Sequence, residues 1–90
     1  MAKRRKSVRN NWHRPLPGPI EIIRVMKLET LADVRALVER HLPKEFRHRV
    51  AWVRLKECLY EAAGGGDLKS LDIALRMAFG MEGIEWREIN

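Results

Sequence analysis

The sequence predicts a mainly helical α+β domain of order β-α-α-α-β, in which a small two-stranded sheet closes three helices. Apolar residues recur at helical spacing through the middle of the chain, and short β-type segments stand on either side of that helical region. A proline and a triglycine divide the helical region into three. With 90 residues, 46% of them hydrophobic, the chain has the size and composition of one globular domain.

The first predicted element is a strand over residues 20–28, IEIIRVMKL, which is rich in β-branched residues. Its alternation is imperfect because Ile22 and Ile23 are adjacent, which is typical of a strand covered on both faces. The preceding PLPGP favours polyproline-like extension. We therefore expect residues 1–19 to form a flexible, disordered basic arm with a proline-rich spacer, and residues 20–90 to form the domain.

Local signals bound the first helix. Thr30 is a candidate N-cap, and Asp33 stands three residues on, where a capping box places its acid. Pro43 disfavours helical geometry at the residue before it. The first helix is therefore predicted over about 31–41.

The second and third helices meet at the triglycine. Pro43 suits the first turn of the second helix, which is predicted to run to about Ala63 and end at residues 64–66. Asp67 is a candidate N-cap for a third helix over about 68–79, which Gly80 is expected to end.

The last predicted element is a strand over residues 83–89, where Ile84 and Trp86 alternate with charged residues. An isolated strand leaves its backbone hydrogen bonds unpaired. We therefore expect this strand to pair with the first one.

The second helix carries two apolar stripes, whereas an ordinary surface helix has one. At about 100° per residue, Trp52, Leu55 and Leu59 share one face. Phe46, Val50, Val53 and Tyr60 form the second stripe. This stripe either packs beneath the first helix as core or stays exposed and marks a homodimer or a groove for a target protein. Ile73 and Met77 form a smaller patch on the third helix. The candidate interface residues are Phe46, Val50, Val53, Tyr60, Ile73 and Met77.

The net charge of +6 belongs to the first fourteen residues. Six of the 18 Lys and Arg lie there without any Asp or Glu, and the other 12 balance the 12 acids of the remaining chain. Such an arm can neutralise phosphates, and its Trp can stack on an unpaired base. An acidic protein surface is an alternative partner, and a solubilising tail is another interpretation. Deleting residues 1–14 is expected to leave the fold unchanged. The candidate nucleic-acid-binding residues are Lys3, Arg4, Arg5, Lys6, Arg9, Trp12 and Arg14.

Catalytic and metal chemistry have little support, so we predict a non-enzymatic chain with no catalytic residue, metal or cofactor. His41, Glu45 and His48 have a ligand-like composition, but a proline between the histidines prevents one shared helical face. The triglycine lacks the lysine and spacing of a phosphate loop. The single cysteine, Cys58, cannot form an internal disulfide. No apolar run approaches the roughly 18 residues of a membrane span, so we expect a cytoplasmic protein without membrane contact.

A family resemblance is carried by VMKLETLADVRALVERHLPKEFR, GGDLKSLDIALRM and MEGIEWR. With this pattern, the chain resembles a group of small bacterial proteins over roughly residues 15–87. The resemblance implies a bacterial cytosolic protein, and it implies no activity and transfers no functional residue.

Two classes of function follow. In the first, this is a small nucleic-acid-associated protein whose basic arm binds the phosphate backbone. In the second, it is a protein–protein interaction module, as a homo-oligomer, an adaptor or an inhibitor, that uses an apolar stripe of the second helix.

Overall fold

A computed structural model of the protein describes residues 10–42, 44–46 and 48–89. In that part of the chain, helices pack against one face of a three-stranded antiparallel sheet. The elements are β1 (Pro15–Ile22), β2 (Met26–Thr30), α1 (Leu31–Ala36) with a π-helical turn (Leu37–His41), a 3-10 turn (Lys44–Phe46), α2 (Val50–Ala63), α3 (Leu68–Glu82) and β3 (Trp86–Glu88). None of the described helices has the length and apolar character needed to cross a membrane.

The predicted first strand is a β-hairpin, so the sheet has three strands instead of two. β1 ends at Ile22, and the chain turns through Arg24, whose φ is +66°, before β2 begins. The adjacent isoleucines that disturb the alternation mark this turn, because Ile23 is the first residue beyond β1. The predicted interpretation, one strand covered on both faces, is wrong.

β1 also begins earlier than predicted, at Pro15 within the expected spacer. Proline cannot donate a ladder hydrogen bond. The pairing with β2 accommodates this by shifting register between Pro15, which lies opposite Thr30, and Ile20, which lies opposite Leu28. The predicted arm is therefore only partly outside the body, and residues 1–9 lie outside the described residues.

The sheet order β2-β1-β3 places β1 at the centre. The predicted pairing of the first and last strands is confirmed, and the structure shows that it is antiparallel, with Ile20 opposite Glu88 and Ile22 opposite Trp86. Between them Glu21 lies opposite Arg87, and their side chains form a 2.7 Å ion pair.

The first helix has the predicted bounds. Asp33 Oδ2 accepts hydrogen bonds from the backbone N–H groups of Thr30 (3.1 Å) and Glu29 (2.8 Å), so the acid satisfies donors at the helix start. The π-helical turn ends at His41, and Leu42 is extended with ψ 132°, as expected before proline.

The second helix begins at Val50, later than the position that Pro43 predicts. A 3-10 turn precedes it, and the backbone N–H of Arg49 donates to Phe46 O at 3.0 Å. This turn packs Phe46 against the core that holds Trp52. On one continuous helix these two side chains would project about 120° apart.

The third helix runs past Gly80 and ends at Glu82. Gly83 adopts the left-handed conformation, with φ +69°, that closes a helix. At the other end, the Asp67 side chain accepts from the Lys69 backbone N–H at 3.0 Å, as the predicted N-cap should. Bonds from Ser70 and from that backbone group lower the pKa of Asp67.

The core lies between the sheet and the helices. Trp52 is buried as predicted and packs 6.4 Å from Phe79, centroid to centroid. The core interpretation of the second stripe is wrong for Val50, Val53 and Tyr60, which are exposed. Phe46 is the one member that packs against the core.

Candidate functional site

The outer face of α3 is apolar and exposed. Ile73, Met77 and Met81 follow each other at intervals of four residues and are 51%, 59% and 66% exposed. Residues four apart lie on the same side of a helix. Together they form an apolar ridge about 12 Å long at a rise of 1.5 Å per residue.

Two of the four charged residues of α3, Asp72 and Arg76, are held on the sheet side of the helix. Arg76 bonds Asp72 at 3.1 Å and Glu88 of β3 at 2.9 Å, and its guanidinium lies 4.9 Å from the centre of the Trp86 ring. Bonds with these two carboxylates raise the pKa of Arg76 against the opposing effect of burial. These contacts draw the Asp72 and Arg76 side chains away from the ridge, whereas Lys69, four residues before Ile73, is exposed on the same side of the helix.

A shallow groove joins α3 to the start of α2. Val50, which is 81% exposed, lines one cavity of about 140 Å³ with Met77 and Met81. A second cavity of about 320 Å³ extends along the groove past Ile73 and the buried thiol of Cys58. We name the exposed surface formed by Val50, Ile73, Met77 and Met81 the α2–α3 face.

The structure brings three of the six predicted interface residues together on one face and places the other three elsewhere. Val50, Ile73 and Met77 meet in the α2–α3 face, whereas Val53 and Tyr60 project elsewhere from α2. The Tyr60 hydroxyl bonds Glu39 at 3.3 Å, and its ring packs edge-on against Trp12, 5.4 Å between centroids. Phe46 is half-buried, and Arg49 lies over its ring at 4.5 Å.

The prediction missed Met81. Gly80 was expected to end the third helix, so the residue beyond it was not placed on the helical surface. Its spacing of four residues from Met77 is the signal that could have identified it. Gly83, two residues further on, supplies the real helix end.

Two of the predicted nucleic-acid-binding residues belong to the folded body. Trp12 is half-buried, with the Arg35 guanidinium 4.5 Å above its ring. Arg14 Nη1 donates to the carbonyls of Ala62 (2.7 Å) and Gly66 (2.9 Å). The other five, Lys3, Arg4, Arg5, Lys6 and Arg9, lie outside the described residues.

The described residues include no cluster of three or more His, Cys, Asp or Glu arranged to hold a metal ion. His41, Glu45 and His48 are all exposed. A cavity of about 170 Å³ lies between the π-helical turn and α2, bordered by Glu39 and Trp52. Trp52 Nε1 is buried and has no hydrogen-bond partner among the described residues.

No protein-family model, curated protein or solved structure matches the chain. The resemblance to small bacterial proteins stays a prediction. The function is therefore inferred from the geometry and charge of the described residues.

Proposed function

We propose that this chain is a non-enzymatic protein-binding module whose α2–α3 face packs against an apolar surface of a protein partner. The observation that carries the proposal is the exposure of four large apolar side chains on one continuous face, Val50, Ile73, Met77 and Met81. Isolated exposed apolar residues are ordinary, but a contiguous patch of this kind is typical of an interaction site.

The size of the face supports the proposal. Four large apolar residues with 51% to 81% of their surface exposed form a patch comparable with the largest on a typical monomer, which covers about 300–600 Å² and is often functional. Burying that area contributes about 10 kcal/mol before the entropy costs of association are subtracted. Methionine adapts its shape to a partner, because its chain is unbranched and its sulfur polarizable.

Photo-crosslinking tests this proposal. A benzophenone amino acid replaces Met77 in the full chain, inside the cells that make it, and a matched chain carries the same group at Val53, an exposed position of α2 outside the face. We expect a protein adduct from position 77 that Ile73→Glu in the same chain abolishes. No adduct at position 77, or equal adducts at both positions, would contradict the proposal.

The basic arm supports a second candidate function, binding of nucleic acid through phosphate contacts. Asn11 N–H donates to Ala63 O at 2.7 Å, so the arm reaches the body at the end of α2. Val50 stands at the start of α2, about 20 Å away along the 14-residue helix. The arm and the α2–α3 face can therefore bind separate partners at the same time.

The salt dependence of binding tests the second candidate. Five cations before Asn10 limit the log–log salt slope on duplex DNA to about 4.5, at about 0.9 for each phosphate contact. Replacing Lys3, Arg4, Arg5 and Lys6 with Ala should remove most of the affinity and leave the melting temperature unchanged. Nucleic-acid affinity that survives this replacement would exclude the arm as the binding site. An arm that binds an acidic protein and does not bind DNA or RNA would favour the alternative partner, an acidic protein surface.

A further inference from the structure

We infer that the outer edge of β3 pairs with the same edge of a second copy of this chain, about a two-fold axis beside Trp86, so that two three-stranded sheets become one. This inference goes beyond the proposed function, because it uses a different surface and leaves the α2–α3 face free for another protein. A strand at the edge of a sheet has backbone groups that a further strand can bond. A two-fold interface brings identical edges together, so the edge must be complementary to itself.

The edge at β2 is partly occupied by the chain's own side chain. The backbone N–H of Glu29 donates to Asp33 Oδ2 at 2.8 Å, which uses a donor that an added strand would need. Covering an edge in this way is one means by which proteins prevent further pairing. The edge at β3 is therefore the better candidate of the two.

The backbone of β3 alternates between β1 and the outer edge. Glu85 O accepts from the N–H of Ile23 at 3.1 Å, and the N–H of Ile89 donates to Pro19 O at 2.9 Å, so residues 85 and 89 bond β1. Because successive residues of a strand direct their backbone groups to opposite sides, Trp86 directs its N–H and C=O to the outer edge. With an axis beside it, Trp86 exchanges both hydrogen bonds with Trp86 of the second copy.

Charge selects the partner and the register. Glu85 and Arg87 are exposed and stand two residues apart on the face of the sheet away from the helices. An axis beside Trp86 places Glu85 of each copy opposite Arg87 of the other, which gives two opposite-charge pairs. An axis beside Glu85 would bring two glutamates together, and an axis beside Arg87 would bring two arginines together, and both arrangements are unfavourable.

The other charges near this edge are compatible with the pairing. Glu88 is bonded to Arg76 at 2.9 Å, and Arg87 is bonded to Glu21 of β1 at 2.7 Å. Glu85 of the second copy adds a carboxylate on the open side of Arg87. One row across the combined sheet then alternates in sign, through Lys27, Glu21, Arg87 and Glu85 of the second copy.

The helices leave room for the second copy. Arg76 of α3 reaches Glu88 of β3, and its Nη2 would lie 2.8 Å from a Cβ at Gly18 of β1, so α3 lies over both strands. With strands about 4.8 Å apart, the two α3 helices then lie about 10 Å from each other, which is the ordinary spacing of packed helices. The half-buried Trp86 rings of the two copies meet at the axis on this side of the sheet.

Sedimentation velocity of the full chain from low micromolar to millimolar concentration tests the inference. The wild type should pass from monomer to dimer across this range. Glu85→Arg and Arg87→Glu each bring like charges together twice, so each should weaken the dimer at least about tenfold. Lys27→Glu is the matched control, because it also places a second carboxylate opposite Glu21 but does so on β2, and it should dimerise like the wild type.

Mixing supplies the decisive measurement. An equimolar mixture of Glu85→Arg and Arg87→Glu chains should recover the dimer, because both pairs across the axis are again opposite in sign. Circular dichroism of each chain checks that it is folded. Met77→Glu should leave the dimer intact, because the α2–α3 face takes no part in it.

Four results would overturn the inference: a mixture that remains monomeric, a dimer that Glu85→Arg leaves intact, a dimer that Met77→Glu dissociates, or a wild type that is monomeric throughout. A monomeric wild type would leave the β3 edge to an extended segment of a different protein. The crosslink from position 77 tests the proposed function separately, so the two can fail independently.

Discussion

At the scale of single residues, the turn between α2 and α3 distinguishes its three glycines. Gly65 has φ +103°, where residues with a side chain are strained. A Cβ at Gly66 would lie 2.7 Å from the carbonyl oxygen of Glu61, whereas at Gly64 the nearest atom would be at an ordinary 3.5 Å. The turn therefore needs glycine at its second and third positions but not at its first.

Alanine substitutions test that distinction. Gly66→Ala should lower the free energy of unfolding by about 1–3 kcal/mol, because the backbone must move to admit a methyl group. Gly64→Ala is the matched control and should change it by no more than about 1 kcal/mol, in the stabilising direction, by restricting the unfolded chain. Thermal denaturation of both variants measures the difference, and equal melting temperatures would contradict this description of the turn.

Trp52 offers a second residue-scale prediction. Trp52→Ala should lower the free energy of unfolding by about 3–5 kcal/mol, as truncation of a buried aromatic residue does. So small a domain would then keep little of its stability. Trp52→Phe should cost roughly half of that or less, because it keeps ring contact with Phe79 and removes an N–H without a described partner. Urea denaturation compares the two variants, and a Phe variant as unstable as the Ala variant would contradict this prediction.

At the scale of elements, the segment before β1 ties two helices together. The carbonyls of Trp12 and Arg14 accept hydrogen bonds from the first turn of α1, from Ala32 at 2.8 Å and Leu31 at 3.0 Å. The same segment bonds the end of α2 through Asn11 and the Arg14 side chain. It is therefore a structural brace and not part of a separable arm.

Two truncations test this brace. Deleting residues 1–9 should leave the melting temperature unchanged. Deleting residues 1–14 should lower it by roughly 5–15 °C, because the brace contributes on the order of 2 kcal/mol through its hydrogen bonds and the Trp12 contacts. Differential scanning calorimetry gives both values, and equal melting temperatures would restore the prediction that residues 1–14 are dispensable for folding.

The elements differ in how far the sequence predicts them. The Thr30 cap, the triglycine turn and the Asp67 cap are local signals, and each has the predicted role. The hairpin turn at Arg24 and the late start of α2 depend on which side chains pack into the core. The periodicity of apolar residues along the sequence does not show which side chains these are. The same holds for the candidate site, since the prediction identified Val50, Ile73 and Met77 but could not place them beside Met81.

At the scale of the whole molecule, association should appear as stability that depends on concentration. If two copies bind through the outer edge of β3, mass action stabilises the folded state as the protein concentration rises. The wild-type melting temperature should therefore increase by several degrees over a hundredfold concentration range, while that of Glu85→Arg increases less. Parallel melting curves that do not shift for the wild type would contradict self-association.

The central place of β1 has a consequence for synthesis on the ribosome. β1 is made before both of its partners; β2 follows it after a short turn, but β3, whose Arg87 pairs with Glu21, comes 66 residues later. Until then the nascent chain presents a bare strand edge beside unburied isoleucines, which is the kind of surface that misassembles. β3 is therefore the last strand to join the sheet, and a chain interrupted before Trp86 should be a substrate for chaperones and proteases.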